Sequence, residues 1–375
     1  MKLLIVAGGG GHFAPALAVI EALPKDWEVL VVGRKYAFEA DKTLSFEYQT
    51  SEKLGIKFAV ITTGRLQRKL SPHTIKSLVK VPVGFFQAVK IIKEYKPTML
   101  LSFGGYVSVP VALAAKSLGI PIIVHEQIMG AGLANKIVEK LADKICVSWK
   151  QSEKFFPAAK VVLTGNPLRK VENSVFPFQV TEKLPIIYVT GGSGGSHAIN
   201  VLVENCLEQL LENYNIIHQT GAAAEFGDFD RLEKKKNKLP PALQKRYFPT
   251  KFIDASAVFS VLRKADLVVS RSGINTVTEL LSLGKPCLFI PLPHGQHNEQ
   301  LTNALFVKQL GLGEAAEQKS LTAQNFHETI DKMMVSLETY TAHAQEGKAM
   351  VIPDAAQKII TLLEHGHIKK EITKS

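Results

Sequence analysis

Two short stretches of this chain place glycines where an apolar run meets a helix-like run. Residues 3–6 lead into Gly8-Gly9-Gly10-Gly11-His12 and a helical pattern over 15–23, and residues 186–189 lead into Gly191-Gly192-Ser193-Gly194-Gly195-Ser196 and a helical pattern over 197–211. Bare glycine amides beside the positive end of a helix bind anions. Two matching turns point to phosphate binding in both halves, one for a nucleotide diphosphate and one for a second substrate. His12 sits on the first turn. A histidine there is either a general base, suited by its ordinary pKa of roughly 6.5, or a ring that only hydrogen-bonds a turn carbonyl.

A third cluster, Ser270-Arg271-Ser272-Gly273-Ile274-Asn275-Thr276-Val277-Thr278-Glu279, reads as a strand end, a small-residue turn and a first helical turn. Its amides and hydroxyls suit phosphate oxygens. Glu279 either accepts hydrogen bonds from the two hydroxyls of a ribose or is a carboxylate favoured by the helix dipole. The loop Pro291-Leu292-Pro293-His294-Gly295-Gln296-His297-Asn298-Glu299-Gln300 follows a buried strand, where parallel sheets bind ligands. Its two histidines lack a third ligand, so no metal is assigned. Asp228-Phe229-Asp230 matches the D-x-D of metal-dependent sugar transferases, but its neighbours Gly227 and Lys234-Lys235-Lys236 make it read as a solvated loop. A nicotinamide reading is disfavoured: the first turn lacks G-x-G-x-x-G spacing, and Val31-Val32-Gly33-Arg34 offers no acid for a ribose.

The elements that position these residues alternate. Strands are expected at 2–7, 28–33, 57–62, 98–103, 121–125, 144–148 and 160–163, then at 186–190, 215–219, 249–253, 266–270, 286–290 and 313–316. Helices fall between them, for example at 83–93, 109–118 and 133–141. This pattern predicts an α/β protein with two doubly wound domains and a cleft between them. Gly165-Asn166-Pro167 and residues 173–185 read as the linker. Leu118-Gly119-Ile120-Pro121 and Leu283-Gly284-Lys285-Pro286 both read as a helix stopped at glycine before proline. A short helix over 355–363 precedes a polar, frayed tail.

The chain has 375 residues, 46% of them hydrophobic, enough for two cores. No spanning run and no signal peptide is read from it. Cys146, Cys206 and Cys287 stand apart in apolar surroundings, which suggests buried free thiols rather than a metal site or disulfides. Of the net charge of +11, nearly all lies in the first half: residues 1–165 hold 22 Lys/Arg against 12 Asp/Glu, and the rest hold 23 against 22. No acid occurs from Lys53 to Lys93. That segment carries Arg65, Arg68, Lys69, Lys76, Lys80 and Lys90, interleaved with Leu66, Leu70, Leu78, Phe85, Phe86 and other apolar residues. Such a stretch binds an anionic membrane surface or is a solvated basic helix beside a core helix. Nucleic acid ranks lower as a partner, because the interleaved residues are mostly aliphatic.

Several motifs occur in order: Gly10-Gly11-His12-x-x-Pro15, Ser102-Phe103-Gly104-Gly105-Tyr106-Val107-Ser108, His125-Glu126-Gln127, Gly165-Asn166-Pro167-Leu168-Arg169, Gly191-Gly192-Ser193, His218-Gln219-Thr220-Gly221, Arg271-Ser272-Gly273 and Gln300-x-x-Asn303-Ala304. Together, over about residues 1–360, they resemble the MurG family of bacterial transferases. Those enzymes add N-acetylglucosamine to undecaprenyl-linked muramyl-pentapeptide in peptidoglycan synthesis.

The resemblance implies a GT-B fold. Residues 1–165, joined by a C-terminal helix at 353–368, would form the acceptor and membrane domain; 166–352 would bind the UDP-sugar. It implies His12 as the base for the muramyl 4-hydroxyl. Arg169 and Ser193 would meet the diphosphate, and the Ile253 backbone the uracil. Ile274, Asn275, Thr276, Val277, Thr278 and Glu279 would hold phosphate and ribose, and Gln300 the sugar hydroxyls. Gly10 and Gly11 would face the donor sugar or the acceptor diphosphate. Arg68, Lys69, Lys76, Leu78, Lys80, Phe85, Phe86 and Lys90 fall where the family docks on the cytoplasmic face of the membrane. No cofactor is implied. The first glycine loop is one residue shorter than the family's Gly-Gly-Thr-Gly-Gly-His. Ile128 stands where Asn is usual and cannot hydrogen-bond an N-acetyl group, and Gly194 replaces a Gln. The rival readings are a UDP-sugar 2-epimerase, a transferase for another lipid-linked acceptor, and a non-enzymatic basic binding module.

Overall fold

The computed structural model describes residues 1–36, 43–62, 72–169, 175–180, 183–192, 194–221, 224–293 and 298–372, with backbone alone for 72–80, 224, 255–256 and 367–372. Two compact units emerge. One comprises Met1–Lys170 and Ile352–Ser375, the other Val171–Val351.

The first unit runs β1 (Lys2–Val6), α1 (Gly10–Ala22), β2 (Glu28–Gly33), α2 (Phe46–Lys53), β3 (Lys57–Val60), α3 (Pro72–Tyr95), β4 (Met99–Ser102), α4 (Ser108–Ser117), β5 (Ile122–Glu126), α5 (Leu133–Val138), β6 (Lys144–Val147) and β7 (Val161–Leu163). All seven strands are parallel, in the order β3-β2-β1-β4-β5-β6-β7. Strand direction therefore reverses its progress between β1 and β4, the place where doubly wound sheets open for ligands. Helices cover both faces, so β1 is apolar beyond Lys2; Leu3, Leu4, Ile5 and Val6 are wholly buried.

The second unit runs β8 (Ile186–Thr190), α6 (His197–Asn205), α7 (Leu207–Asn213), β9 (Asn215–Gln219), α8 (Asp228–Lys236), α9 (Pro241–Gln244), β10 (Tyr247–Thr250), α10 (Ala255–Lys264), β11 (Leu267–Ser270), α11 (Ile274–Leu283), β12 (Cys287–Phe289), α12 (Glu299–Gln309), β13 (Gly313–Ala315), α13 (Ala323–Val335), α14 (Leu337–Ala342) and α15 (Ala344–Ala349). Its parallel sheet has the order β10-β9-β8-β11-β12-β13, with the same reversal beside β8. The chain then enters α16 (Ala355–Ile372), whose Ile359, Ile360 and Leu363 join Phe13, Leu17 and Met99 in the first unit's core.

Local sequence explains the boundaries. Gly119 and Gly284 adopt left-handed φ of 67° and 64°. At each, the next two amides bond back in the pattern of a glycine-capped helix: Gly119 and Ile120 to Lys116 and Ala115, Gly284 and Lys285 to Leu281 and Leu280. The expected single helix over 197–211 is interrupted. At Cys206 the amide reaches only to Val203, and the thiol donates to the Leu202 carbonyl instead. The expected frayed tail is also corrected, since the backbone stays helical to Ile372. The three thiols are free and buried, and burial pushes Cys146 and Cys206 up to about 12. Of the linker at 173–185, residues 175–180 and 183–185 are described and belong to no helix or strand.

Candidate functional site

In the first unit the glycine turn is the first turn of α1. Gly9 caps the helix at φ 96°, its carbonyl accepts from the His12 and Phe13 amides, and Gly10 and Gly11 supply the opening amides. The turn is pressed onto the loop after β4. The Gly8 amide donates to the Gly104 carbonyl at 3.1 Å, and a Cβ on Gly105 would stand 2.7 Å from the Gly8 Cα. This contact explains the paired glycines of Ser102-Phe103-Gly104-Gly105.

His12 is held by a residue distant in sequence. Its Nδ1 lies 2.8 Å from Oε1 of Gln127. Gln127 Nε2 donates to the Phe103 carbonyl at 2.9 Å and to Nδ1 of His125 at 3.1 Å, and His125 Nε2 bonds the Gly165 carbonyl at 3.0 Å. These partners fix the proton at each contacting nitrogen. The Gly165 carbonyl only accepts, so His125 carries its proton on Nε2. Gln127 therefore turns its amide nitrogen to His125 and its oxygen to His12. His12 therefore donates from Nδ1, and its neutral form is the Nδ1–H tautomer with the lone pair on Nε2. Burial pushes His125 down to about 4, so the relay stays neutral at its far end.

Glu126 is committed elsewhere. It accepts from the Ile128 and Gly132 amides and from Asn135 Nδ2, closing the loop after β5. Sequence reasoning missed Glu47. This buried α2 carboxylate accepts from the Gly9 amide and keeps one oxygen without a partner among the described residues, and burial raises its pKa. It occupies part of the positive pole of α1. Arg169 also lies in the first unit, where Glu21 of α1 holds it in a two-point ion pair at 2.8 and 2.5 Å.

The second unit contains a cavity of about 650 Å³ at the carboxyl ends of β8, β11 and β12. Its floor is the turn Gly191, Gly192, Gly195, Ser196 and His197; its walls are Arg271, Gly273, Thr276, Leu292, Pro293, Gln300 and Gln318. The floor is closely fitted: a Cβ on Gly195 would stand 2.1 Å from the Thr220 carbonyl. Arg271 is a strut. It donates to the carbonyls of Ile290 and Pro291, to Ser196 Oγ and to Gln318 Oε1. Gln300 is tied by Oε1 to the Leu292 amide, and its carbonyl accepts from Ser272.

The cluster expected to offer both amides and hydroxyls offers chiefly amides. Ser270, Ser272 and Thr278 spend their hydroxyls on the carbonyls of Arg271, Gln300 and Ile274. Ile274, Val277 and Thr278 are buried, and of the expected helix residues Thr276 lines the cavity. Asn275 is half-buried. Glu279 is half-buried too, its carboxylate takes no hydrogen bond from a described protein group, and burial pushes its pKa up to about 7. The Ile253 amide donates to Gln219 Oε1 at 3.2 Å. The D-x-D reading as a solvated loop is corrected: Asp228 and Asp230 open α8, and Asp228 is buried. Ser193, His294 and His297 lie outside the described residues.

On α3, Phe86 is 68% exposed and flanked by exposed Val83 and Lys90, whereas Phe85 is partly buried against the core. The expected patch is therefore corrected at Phe85, which α3 turns inward. Side chains of Lys76, Leu78 and Lys80 lie outside the description, as do Arg68 and Lys69 altogether. No helix among the described residues is long and apolar enough to cross a membrane.

Residues 3–147 match the glycosyltransferase family 28 N-terminal domain, and 186–359 match the family's C-terminal domain. Similar curated proteins include the UDP-N-acetylglucosamine--N-acetylmuramyl-(pentapeptide) pyrophosphoryl-undecaprenol N-acetylglucosamine transferase of Geobacter metallireducens. It is 34% identical over 96% of this chain and 97% of its own. The protein of the same name from Clostridium kluyveri is 34% identical over 97% and 99%. The crystal structure of Acinetobacter baumannii MurG superposes with a TM-score of 0.71 at 26% identity, covering 97% of this chain and all of the other. The chain belongs to the MurG family. Membership accounts for the two parallel sheets and the two glycosyltransferase domains, and makes the chain an enzyme of hexosyl transfer. The MurG-family motifs fall at strand ends: Gly191-Gly192 after β8, Arg271-Ser272-Gly273 after β11, and His125-Glu126-Gln127 across the end of β5.

Proposed function

We propose that this chain transfers N-acetylglucosamine from its UDP donor to the 4-hydroxyl of undecaprenyl-diphospho-muramyl-pentapeptide. The observation that carries this reading is the full-length match to transferases named for that reaction. The second unit takes the donor. Glu279 accepts the ribose hydroxyls, and the Ile253 carbonyl is left for the uracil because its amide already serves Gln219. The opening amides of α11 at Ile274, Asn275 and Thr276 face the phosphates. Val277 and Thr278 secure that helix end by packing, and Gln300 and Ser193 complete the sugar and phosphate contacts. Arg169 joins the diphosphate by exchanging Glu21 for phosphate oxygens.

The first unit takes the acceptor, with Gly10 and Gly11 beside its reacting end. His12 Nε2 removes the proton of the acceptor hydroxyl. The oxygen attacks the anomeric carbon, the bond to the β-phosphate oxygen breaks with its electron pair leaving on UDP, and configuration inverts. The amides and the α11 dipole stabilise the departing charge. The enzyme works as a peripheral protein on the cytoplasmic membrane face, docked through Val83, Phe86 and Lys90 of α3 together with the preceding basic segment.

Incubation with radiolabelled UDP-N-acetylglucosamine and lipid-linked muramyl-pentapeptide should yield label in the lipid fraction only when both are present. Release of an epimerised UDP-sugar without acceptor, and no labelled lipid, would favour the epimerase reading instead.

A further inference from the structure

Asp228 has a use that its loop-like sequence conceals. Its Oδ1 accepts from His197 Nδ1 at 2.8 Å and from Arg231 Nη2 at 2.6 Å, and its Oδ2 accepts from Asn200 at 2.7 Å. Burial alone would raise its pKa. The bonds from Asn200, His197 and Arg231 outweigh that and hold the carboxyl below its ordinary range. Asp228 is therefore an anion fixed against one nitrogen of His197.

His197 is the first residue of α6, directly after the second glycine turn, and it lines the cavity. Phe226 stacks on its ring, with centroids 4.1 Å apart and planes at 13°. The imidazole is thus oriented by a carboxylate at Nδ1 and an aromatic face. Its side chain is still 38% exposed, and Nε2 bonds no described protein atom. The other charged residue lining the cavity is Arg271, whose terminal nitrogens are committed to four protein acceptors. Among the described cationic lining residues, His197 alone has an uncommitted nitrogen on a part-exposed side chain; the one uncommitted nitrogen of Arg271, Nε, is buried.

We propose that His197, anchored by Asp228, is a charge-bearing ligand of the donor diphosphate. The imidazolium donates Nδ1–H to Asp228 and Nε2–H to a phosphate oxygen. This rests on the reading that the donor occupies the second unit's cavity. Two anions then flank the ring, and the bond to phosphate strengthens as charge grows on departing UDP. The charged groups facing the ring are Asp228 and Arg231 from α8, with Glu204 of α6 bonded to Arg231, and Arg271 lines the same cavity. His218, which shares Asn200, is pushed down to about 3 by burial and stays neutral.

Calorimetry with UDP-N-acetylglucosamine tests this. Uridine is the control, since it lacks phosphates. His197→Ala should weaken donor binding about ten- to a hundredfold and leave uridine affinity within about twofold. His197→Asn, which keeps a donor toward Asp228, should behave like the alanine variant and guards against misfolding. Equal loss for donor and uridine would mark His197 as structural and overturn the proposal, as would unchanged donor binding. A wild-type protein that binds neither ligand would overturn the donor-site reading itself.

Discussion

As the proposed base, His12 is only as good as its tautomer allows, and Gln127 sets the tautomer. His12→Ala should lower turnover by about 10²–10⁴ with donor affinity nearly intact. Gln127→Leu removes the acceptor of Nδ1–H and frees the ring to flip; turnover should fall at least tenfold with KM for the donor unchanged. A His12 variant losing less than tenfold would place the base elsewhere. Glu126 is a poor substitute, because three donors already occupy it. Glu279 should show opposite effects on stability and binding. Its pKa is raised from 4.5 to about 7, so its contribution to folding is full below about pH 4.5 and is lost as pH rises through 7. Glu279→Gln should therefore stabilise the free protein at pH 8 by on the order of 2–3 kcal/mol in denaturant titrations, and weaken UDP binding. Unchanged UDP affinity would remove Glu279 from the ribose site. His12 and Glu279 stand out in the sequence because each sits in or beside a glycine turn. The partner of His12 does not, since Gln127 lies 115 residues away. Nor does Glu47, which reaches the Gly9 amide from another helix.

Elements whose ends carry glycine and proline were readable to within a residue or two, as α4 and α11 show. Elements decided by tertiary contacts were not. The break at Cys206 follows from a thiol bonding a carbonyl, and the start of α8 at Asp228 follows from three partners on other turns or helices. The helix α3 is legible in kind but not in orientation: charge and apolar residues alternate along it, and only packing shows that Phe85 turns inward and Phe86 outward. Phe86→Ser with Val83→Ser should therefore reduce retention on anionic liposomes at high salt, whereas Lys90→Glu should lower binding at low salt, because screening weakens attraction of roughly 1 kcal/mol per basic residue. Equal, salt-insensitive binding of the variants and the parent in vesicle sedimentation would reject α3 as the docking face. Phe85→Ser should instead destabilise the fold.

At the scale of the molecule, each unit has its own sheet and core, and α16 is part of the first. Its three buried side chains contribute roughly 5–9 kcal/mol as an upper bound. That is comparable with the whole stability of a typical domain, about 5–15 kcal/mol. Truncation after Asp354 should abolish the first unit's unfolding transition in calorimetry and leave a second transition that UDP still shifts upward. Retention of both transitions would show that α16 is dispensable. The two-unit, doubly wound plan was readable from alternating strand and helix signals, because parallel strands buried on both faces must be apolar. The return of the last helix to the first unit is not written in any local pattern; it was expected from family resemblance.

The three buried thiols carry a further consequence. Alkylating reagents react with thiolate in water, and Cys146, Cys206 and Cys287 offer neither while the chain is folded. Each is a silent clock that starts when its surroundings open. Cys146 sits in β6 of the first unit, and Cys206 and Cys287 sit in the second. Mass-resolved labelling over time would time the opening of either half without adding a probe, and donor should slow Cys206 and Cys287 more than Cys146.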